Sequence, residues 1–60
     1  MKELEIAINQ LRRAMKNTDK AEEKMWVNKE RVNSDWADKI SIEIAALIDE
    51  ITVLNRYYNK

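Results

Sequence analysis

The sequence has 60 residues, with 11 basic and 11 acidic side chains and a formal net charge of zero. It contains no cysteine, histidine, glycine or proline, which excludes disulfides, thiolate and imidazole metal sites, catalytic triads and glycine-rich phosphate loops. Without glycine or proline for hairpin turns, an all-α fold is expected. A single domain over residues 1–60 is small for independent stability, so we expect self-association or a partner to support it.

The strongest helical pattern lies between Ile40 and Tyr58. Apolar residues recur there at alternating steps of four and three, which predicts one continuous face of a helix. The residues of this predicted seam are Ile40, Ile44, Leu47, Ile51, Leu54 and Tyr58. We expect the seam, together with Trp36, to form the core of the second helix.

The same stretch carries further apolar residues on its opposite side. Ile42, Ala46 and Val53 repeat the helical spacing, although a helix that lined one small core would carry charge there. The alternative is ordinary surface with two stray β-branched residues. We interpret these three residues as a partner-binding face, because a chain this short cannot cover both sides of the helix itself.

The first helix also has a heptad seam. Its members are Leu4, Ile8, Leu11, Met15, Thr18, Glu22, Met25, Lys29 and Val32. The register breaks at Asn33-Ser34-Asp35, where Asn33 is placed as a helix cap. The prediction is an antiparallel helical hairpin with helices at about 2–32 and 35–59 and a turn at 33–35; a second turn at 17–19, giving three helices, is the alternative.

In that predicted hairpin, Leu4 and Ile8 extend to or beyond the end of the second helix. Two large apolar side chains without cover indicate self-association. We therefore expect a homo-oligomer, either a dimeric four-helix bundle or a larger helical assembly.

Two aromatic residues are candidates for partner contact. Trp26 flanks the seam of the first helix, and Tyr57 lies at the edge of the second. Aromatic residues at such edges are typical interface anchors, and the alternative is that they cover the ends of the core.

Basic residues follow the side of the first helix opposite its seam. The four closest together are Arg12, Arg13, Lys16 and Lys20. Such a stripe is a candidate for phosphate contact with a nucleotide or nucleic acid. Glutamates interrupt it and the net charge is zero, so a solvated helix surface is the favoured interpretation.

Two segments, Ile8–Met15 and Ser41–Ile48, resemble pieces of the Spo0E-like aspartyl-phosphate phosphatases, small helical hairpins that act on response regulators. Ser41, Glu43 and Leu47 fit the family signature, as do Ile44 and Ile48. The sequence departs from it at Ile42, where the family has glutamine, and at Ala45, where it has the important aspartate. The resemblance implies a phosphatase as an alternative function.

Composition and pattern together favour an interaction protein. The carboxylate pairs, such as Asp35 with Asp38, occur among lysines and predict solvated surface and not a catalytic site. We expect a non-enzymatic, cytoplasmic regulator or inhibitor without cofactor or metal, which binds itself and another protein but neither a membrane nor, in the favoured reading, nucleic acid. The bias toward lysine, asparagine and isoleucine is typical of AT-rich bacterial or phage genes.

Overall fold

The computed structural model describes residues 1–59, which form two helices joined by a tight turn. α1 spans Lys2–Val27 and α2 spans Arg31–Tyr58. They run antiparallel: the Met1 amino nitrogen donates to Asn55 Oδ1 at 2.8 Å, and the Thr18 and Ser41 hydroxyls bond to each other midway. The predicted all-α hairpin is confirmed. The three-helix alternative is wrong, because α1 continues unbroken through residues 17–19.

The turn lies at Asn28–Glu30 and not at the predicted 33–35. Lys29 has φ of 62°, and the N–H groups of Lys29 and Glu30 donate to the carbonyls of Trp26 and Met25 at 3.0 and 2.8 Å. These are the two hydrogen bonds of a Schellman motif. Lysine takes the left-handed position that glycine usually holds, at a cost of about 1–2 kcal/mol, which is why the missing glycine misdirected the prediction.

The buried side of α1 agrees with its predicted seam as far as Met25. Ile8 is buried, and the other members from Leu4 to Met25 are half-buried. With the earlier turn, the start of α1 lies level with the end of α2, where Ile8 shares a shallow cavity with Thr52 and Asn55. The expectation that α2 leaves Leu4 and Ile8 uncovered is therefore wrong, and these two residues do not indicate self-association.

The buried side of α2 differs from the predicted seam by one residue position. Ser34, Ala37, Ser41 and Ile48 are buried. Of the predicted seam, Ile44 and Ile51 are half-buried, whereas the other members are exposed: Ile40 by 37%, Leu47 by 46%, Leu54 by 44% and Tyr58 by 61%. Trp36, also predicted in the core, is 66% exposed. The apolar arc of α2 is wider than one helix can cover, and α1 packs on its small-residue edge.

Small polar side chains make that edge a specific contact. Thr18 Oγ1 donates to the Met15 carbonyl at 2.9 Å, so Ser41 is the donor in the bond between the two hydroxyls. Ser34 Oγ donates to the Glu22 carbonyl oxygen at 3.3 Å. Within residues 1–59, every fully enclosed side-chain nitrogen or oxygen has a hydrogen-bond partner. Short side chains let the helices approach closely enough for these bonds, and leaving such groups unpaired would cost about 1–3 kcal/mol each.

The hairpin is a single layer of helices. Its Cα atoms extend over 48 × 14 × 9 Å with a radius of gyration of 14.0 Å, whereas a compact chain of this length has about 10 Å. Domains normally bury their apolar faces between two packed layers. Here both broad sides of the layer are open, and the apolar residues on them face solvent.

Candidate functional site

Two exposed apolar surfaces lie on α2. The first, the broad face, flanks the contact with α1 and consists of Trp36, Ile40, Leu47, Leu54 and Tyr58. The second, the rear face, consists of Ile42, Ala46 and Val53; all three are exposed, Ile42 by 62% and Val53 by 64%. At about 100° per residue, the centres of the two surfaces are about 120° apart around α2, across the side that faces away from α1. They are therefore separate surfaces.

The broad face continues onto α1. Met25 of α1 and Asn33, Trp36, Ala37 and Ile40 of α2 line one shallow apolar cavity. Met25 is in helical register with three half-buried alanines spaced seven residues apart, which are Ala7, Ala14 and Ala21. The broad face thus combines a ridge of large side chains on α2 with a row of small ones on α1.

The rear face is the predicted partner-binding face, and the structure places its three residues together. Asp38 and Asp49 are exposed and lie about 20–80° from them around the helix axis, on the side of α1. The surface is therefore apolar in the middle with negative charge along one edge.

The two aromatic candidates lie far apart, near opposite ends of the hairpin. Trp26 is 59% exposed, and the Arg31 guanidinium carbon lies 5.6 Å from the centre of its ring, within cation–π range. Tyr57 is 74% exposed and meets the ring of Tyr58 edge to face at 6.4 Å. Tyr57 follows Val53 by one helical turn and lies about 40° from it around the axis of α2, so it extends the rear face toward the end of that helix. Trp26 lies on α1 near the turn and does not adjoin Ala46 at the centre of the rear face.

The basic candidates all lie on α1. Arg12, Arg13, Lys16 and Lys20 are exposed and lie within an arc of about 100°. Arg31 lies beyond the turn, on α2, and is not part of this stripe. Arg12 borders the shallow cavity beside Glu5 and Asn9, so a carboxylate shares that part of the surface.

A group of carboxylates lies near the turn end of the hairpin. Glu22 is half-buried between the helices. Burial raises the pKa of the Glu22 carboxyl above its ordinary value, and the negative charges of Asp38, Asp19 and Asp35 act in the same direction. Because its pKa is raised, the ionised form of Glu22 opposes folding. Over residues 1–59, no three or more acidic side chains are arranged to hold a metal ion.

We expect Glu22→Gln to raise the melting temperature at neutral pH. The folded pKa of Glu22 is raised, so its ionisation destabilises the folded state and protonation removes that effect. The gain should shrink as the pH falls through the raised pKa, where the parent also becomes neutral at this position. Thermal unfolding followed by circular dichroism at several pH values measures both effects.

The control for this prediction is Glu23→Gln, which removes the same charge from an exposed neighbour on the same helix, the residue that contributes least among those that raise the pKa of Glu22. Equal stabilisation by the two substitutions at neutral pH would show that only the net charge matters and that the position of Glu22 does not.

Two residues of the segment that resembles the phosphatase family, Ser41 and Ala45, are buried or half-buried in the hairpin. Ser41 is buried and hydrogen-bonded to Thr18, and Ala45, where the family has aspartate, is half-buried beside it on α2.

Neither helix, within residues 1–59, combines the length and apolar character needed to cross a membrane. Comparisons with protein-family models, curated proteins and solved structures found no match to this chain.

Proposed function

We propose that this chain is a small helical interaction module, a cytoplasmic regulator or inhibitor of bacterial or phage origin that docks on another protein and catalyses no reaction. The observation that carries the proposal is the rear face. Ile42 and Val53 are more than three-fifths exposed, on a side of α2 that α1 does not touch. Two β-branched apolar residues at helical spacing on that side have no use in the core of the hairpin.

The composition of the rear face indicates the chemistry of the partner. Its centre is apolar, and Asp38 and Asp49 border it on one edge. A partner that presents an apolar segment flanked by lysine or arginine would bury the isoleucine and valine and pair with the aspartates. A helix laid along α2 fits this surface, because Ile42 and Val53 are about 16 Å apart along the helix axis.

We expect the double substitution Ile42→Glu with Val53→Glu to abolish partner binding while the hairpin stays helical. Glutamate is a good helix former, but two unpaired charges in an interface would weaken binding by tenfold or more, about 1.4 kcal/mol at the least. The immobilised parent is exposed to a lysate of the source cells, and each protein that it captures is purified and titrated against parent and variant by calorimetry.

The matched control is Ile6→Glu with Val27→Glu, which adds two glutamates at exposed apolar positions of α1. This variant should bind the partner as the parent does. Undiminished binding by the Ile42 and Val53 variant would refute the assignment of the rear face.

A further inference from the structure

We propose that the broad face is the binding site for a second copy of this chain. The two copies are related by a two-fold axis parallel to the helices, so that α2 of each chain lies on α1 of the other in a four-helix bundle. This inference concerns a different surface from the rear face. It shares with the proposed function only the premise that exposed apolar side chains mark binding surfaces.

The surface area supports a partner of this size. The hairpin exposes 5107 Å², whereas a compact monomer of its 7.2 kDa exposes about 4,100 Å². The excess of roughly 1,000 Å² is close to the 800 Å² or so that each partner buries in a stable interface. Covering one broad side of a single-layer hairpin with an identical layer would remove this excess and complete a two-layer domain.

The shape of the broad face is self-complementary. The large residues Ile40, Leu47 and Leu54 repeat every seven residues on α2, and the alanines at positions 7, 14 and 21 repeat at the same interval on α1. The contact between Thr18 and Ser41 places these two residues at the same height along the axis of the hairpin. At this alignment of the helices, each of the three large residues lies within about one helical turn, along the axis, of one alanine. A two-fold axis along the helices keeps all heights unchanged. The ridge of each chain then lies over the alanine row of the other.

Charges at the edge of the broad face select this arrangement over the alternative. Glu43 and Glu50 lie on α2 about 20–80° from the ridge around the helix axis, and Arg13 and Lys20 lie on the outer side of α1, about 80–140° from the alanine row; all four are exposed. In the proposed dimer, Arg13 comes to a height between Glu43 and Glu50 of the other copy, about 5 Å from each along the axis. The alternative two-fold, which sets α2 against α2 around Leu47, would instead bring Glu43 close to Glu50 of the other copy and repel it.

The first experiment measures mass and its dependence on one ridge residue. Light scattering after size exclusion at tens of micromolar should give twice the mass of one chain for the parent. Leu47→Glu, at the centre of the ridge, should weaken the dimer by about a hundredfold or more, because it places two charges in an apolar interface. The matched control Ile42→Glu, on the rear face, should remain dimeric.

The second experiment exchanges the edge charges. Glu43→Lys with Glu50→Lys should dissociate the dimer, as should Arg13→Glu with Lys20→Glu. All four substitutions in one chain should restore the dimer, as should an equimolar mixture of the two double variants. This rescue distinguishes a lost interface from a failure to fold, since a merely unfolded variant would not be restored by a further pair of charge reversals.

Four results would overturn the inference. A parent that is monomeric and cooperatively folded at tens of micromolar has no such interface. Dimers of Leu47→Glu as stable as the parent would place the interface elsewhere. A failure of the fourfold variant to recover the dimer would exclude the pairing of the edge charges, and a tighter dimer after Glu43→Gln with Glu50→Gln would replace the proposed two-fold axis by the α2-on-α2 arrangement. None of these results bears on partner binding by the rear face, which the calorimetric titration tests separately.

Discussion

Ile48→Ala is expected to remove about 2–5 kcal/mol from the free energy of unfolding, the range for deleting a large buried aliphatic side chain. Ile48 is 8% exposed at the centre of the buried row of α2. A domain of sixty residues has only about 3–9 kcal/mol of stability in total, so this loss is a large part of it. Thermal melting followed by circular dichroism should show a fall of about 10 °C or more.

The control is Ile42→Ala, which removes the same atoms from a residue of the same helix that is 62% exposed. Its melting temperature should stay within a few degrees of the parent, because most of the isoleucine side chain already contacts water. Equal shifts for Ile48→Ala and Ile42→Ala would mean that α1 does not pack on the Ser41 and Ile48 side of α2.

Ser34→Pro is expected to destabilise the hairpin by about 3 kcal/mol or more, the cost of proline beyond the first turn of a helix. The Ser34 N–H donates to the Glu30 carbonyl at 2.8 Å, and its hydroxyl donates to the Glu22 carbonyl. Proline removes both donors and places its ring against the Glu30 carbonyl. The site is only 2% exposed, so neither the ring nor a water molecule can be accommodated without moving α1. Denaturant unfolding measures the loss.

Proline at Arg31 is the matched comparison, because Arg31 is the first residue of α2 and proline is favoured at that position. We expect a loss of at most about 1 kcal/mol there, part of it from the lost contact with Trp26. Arg31→Ala measures that part separately. A Ser34→Pro variant as stable as Arg31→Pro would restore the turn predicted at 33–35.

The turn shows where sequence patterns mislead in this chain. Asn33-Ser34-Asp35 has the residues of a helix cap, and Asn28-Lys29-Glu30 has no glycine, so propensity favours the later position. The structure uses the earlier one because it brings Ser34 and Ser41 onto the contact with α1 and sets the start of α1 against the end of α2. Packing along about 26 residues of each helix outweighs the 1–2 kcal/mol cost of Lys29 in the left-handed region.

The candidate surfaces were predicted unequally. The spacing of Ile42, Ala46 and Val53 identified the rear face, because an apolar residue opposite a predicted core is visible in one helix. The broad face was not predicted: its residues were assigned to the core. Two features of the sequence could have predicted it. The residues one position after Ile40, Leu47 and Leu54 also repeat every seven residues, as Ser41, Ile48 and Asn55, preceded at the same interval by Ser34, and α1 carries the alanine row.

By itself, the sequence determined the helical class, the antiparallel pairing and the buried side of α1. The absence of glycine and proline and the helical spacing of apolar residues on both sides of the register break leave no other regular structure. Only the tertiary structure decided which edge of α2 packs on α1 and, with it, which large side chains stay exposed. Helical periodicity specifies an apolar arc on α2 wider than one neighbouring helix can cover. The choice within that arc depends on contacts between helices, such as Thr18 with Ser41, that no single-helix pattern contains.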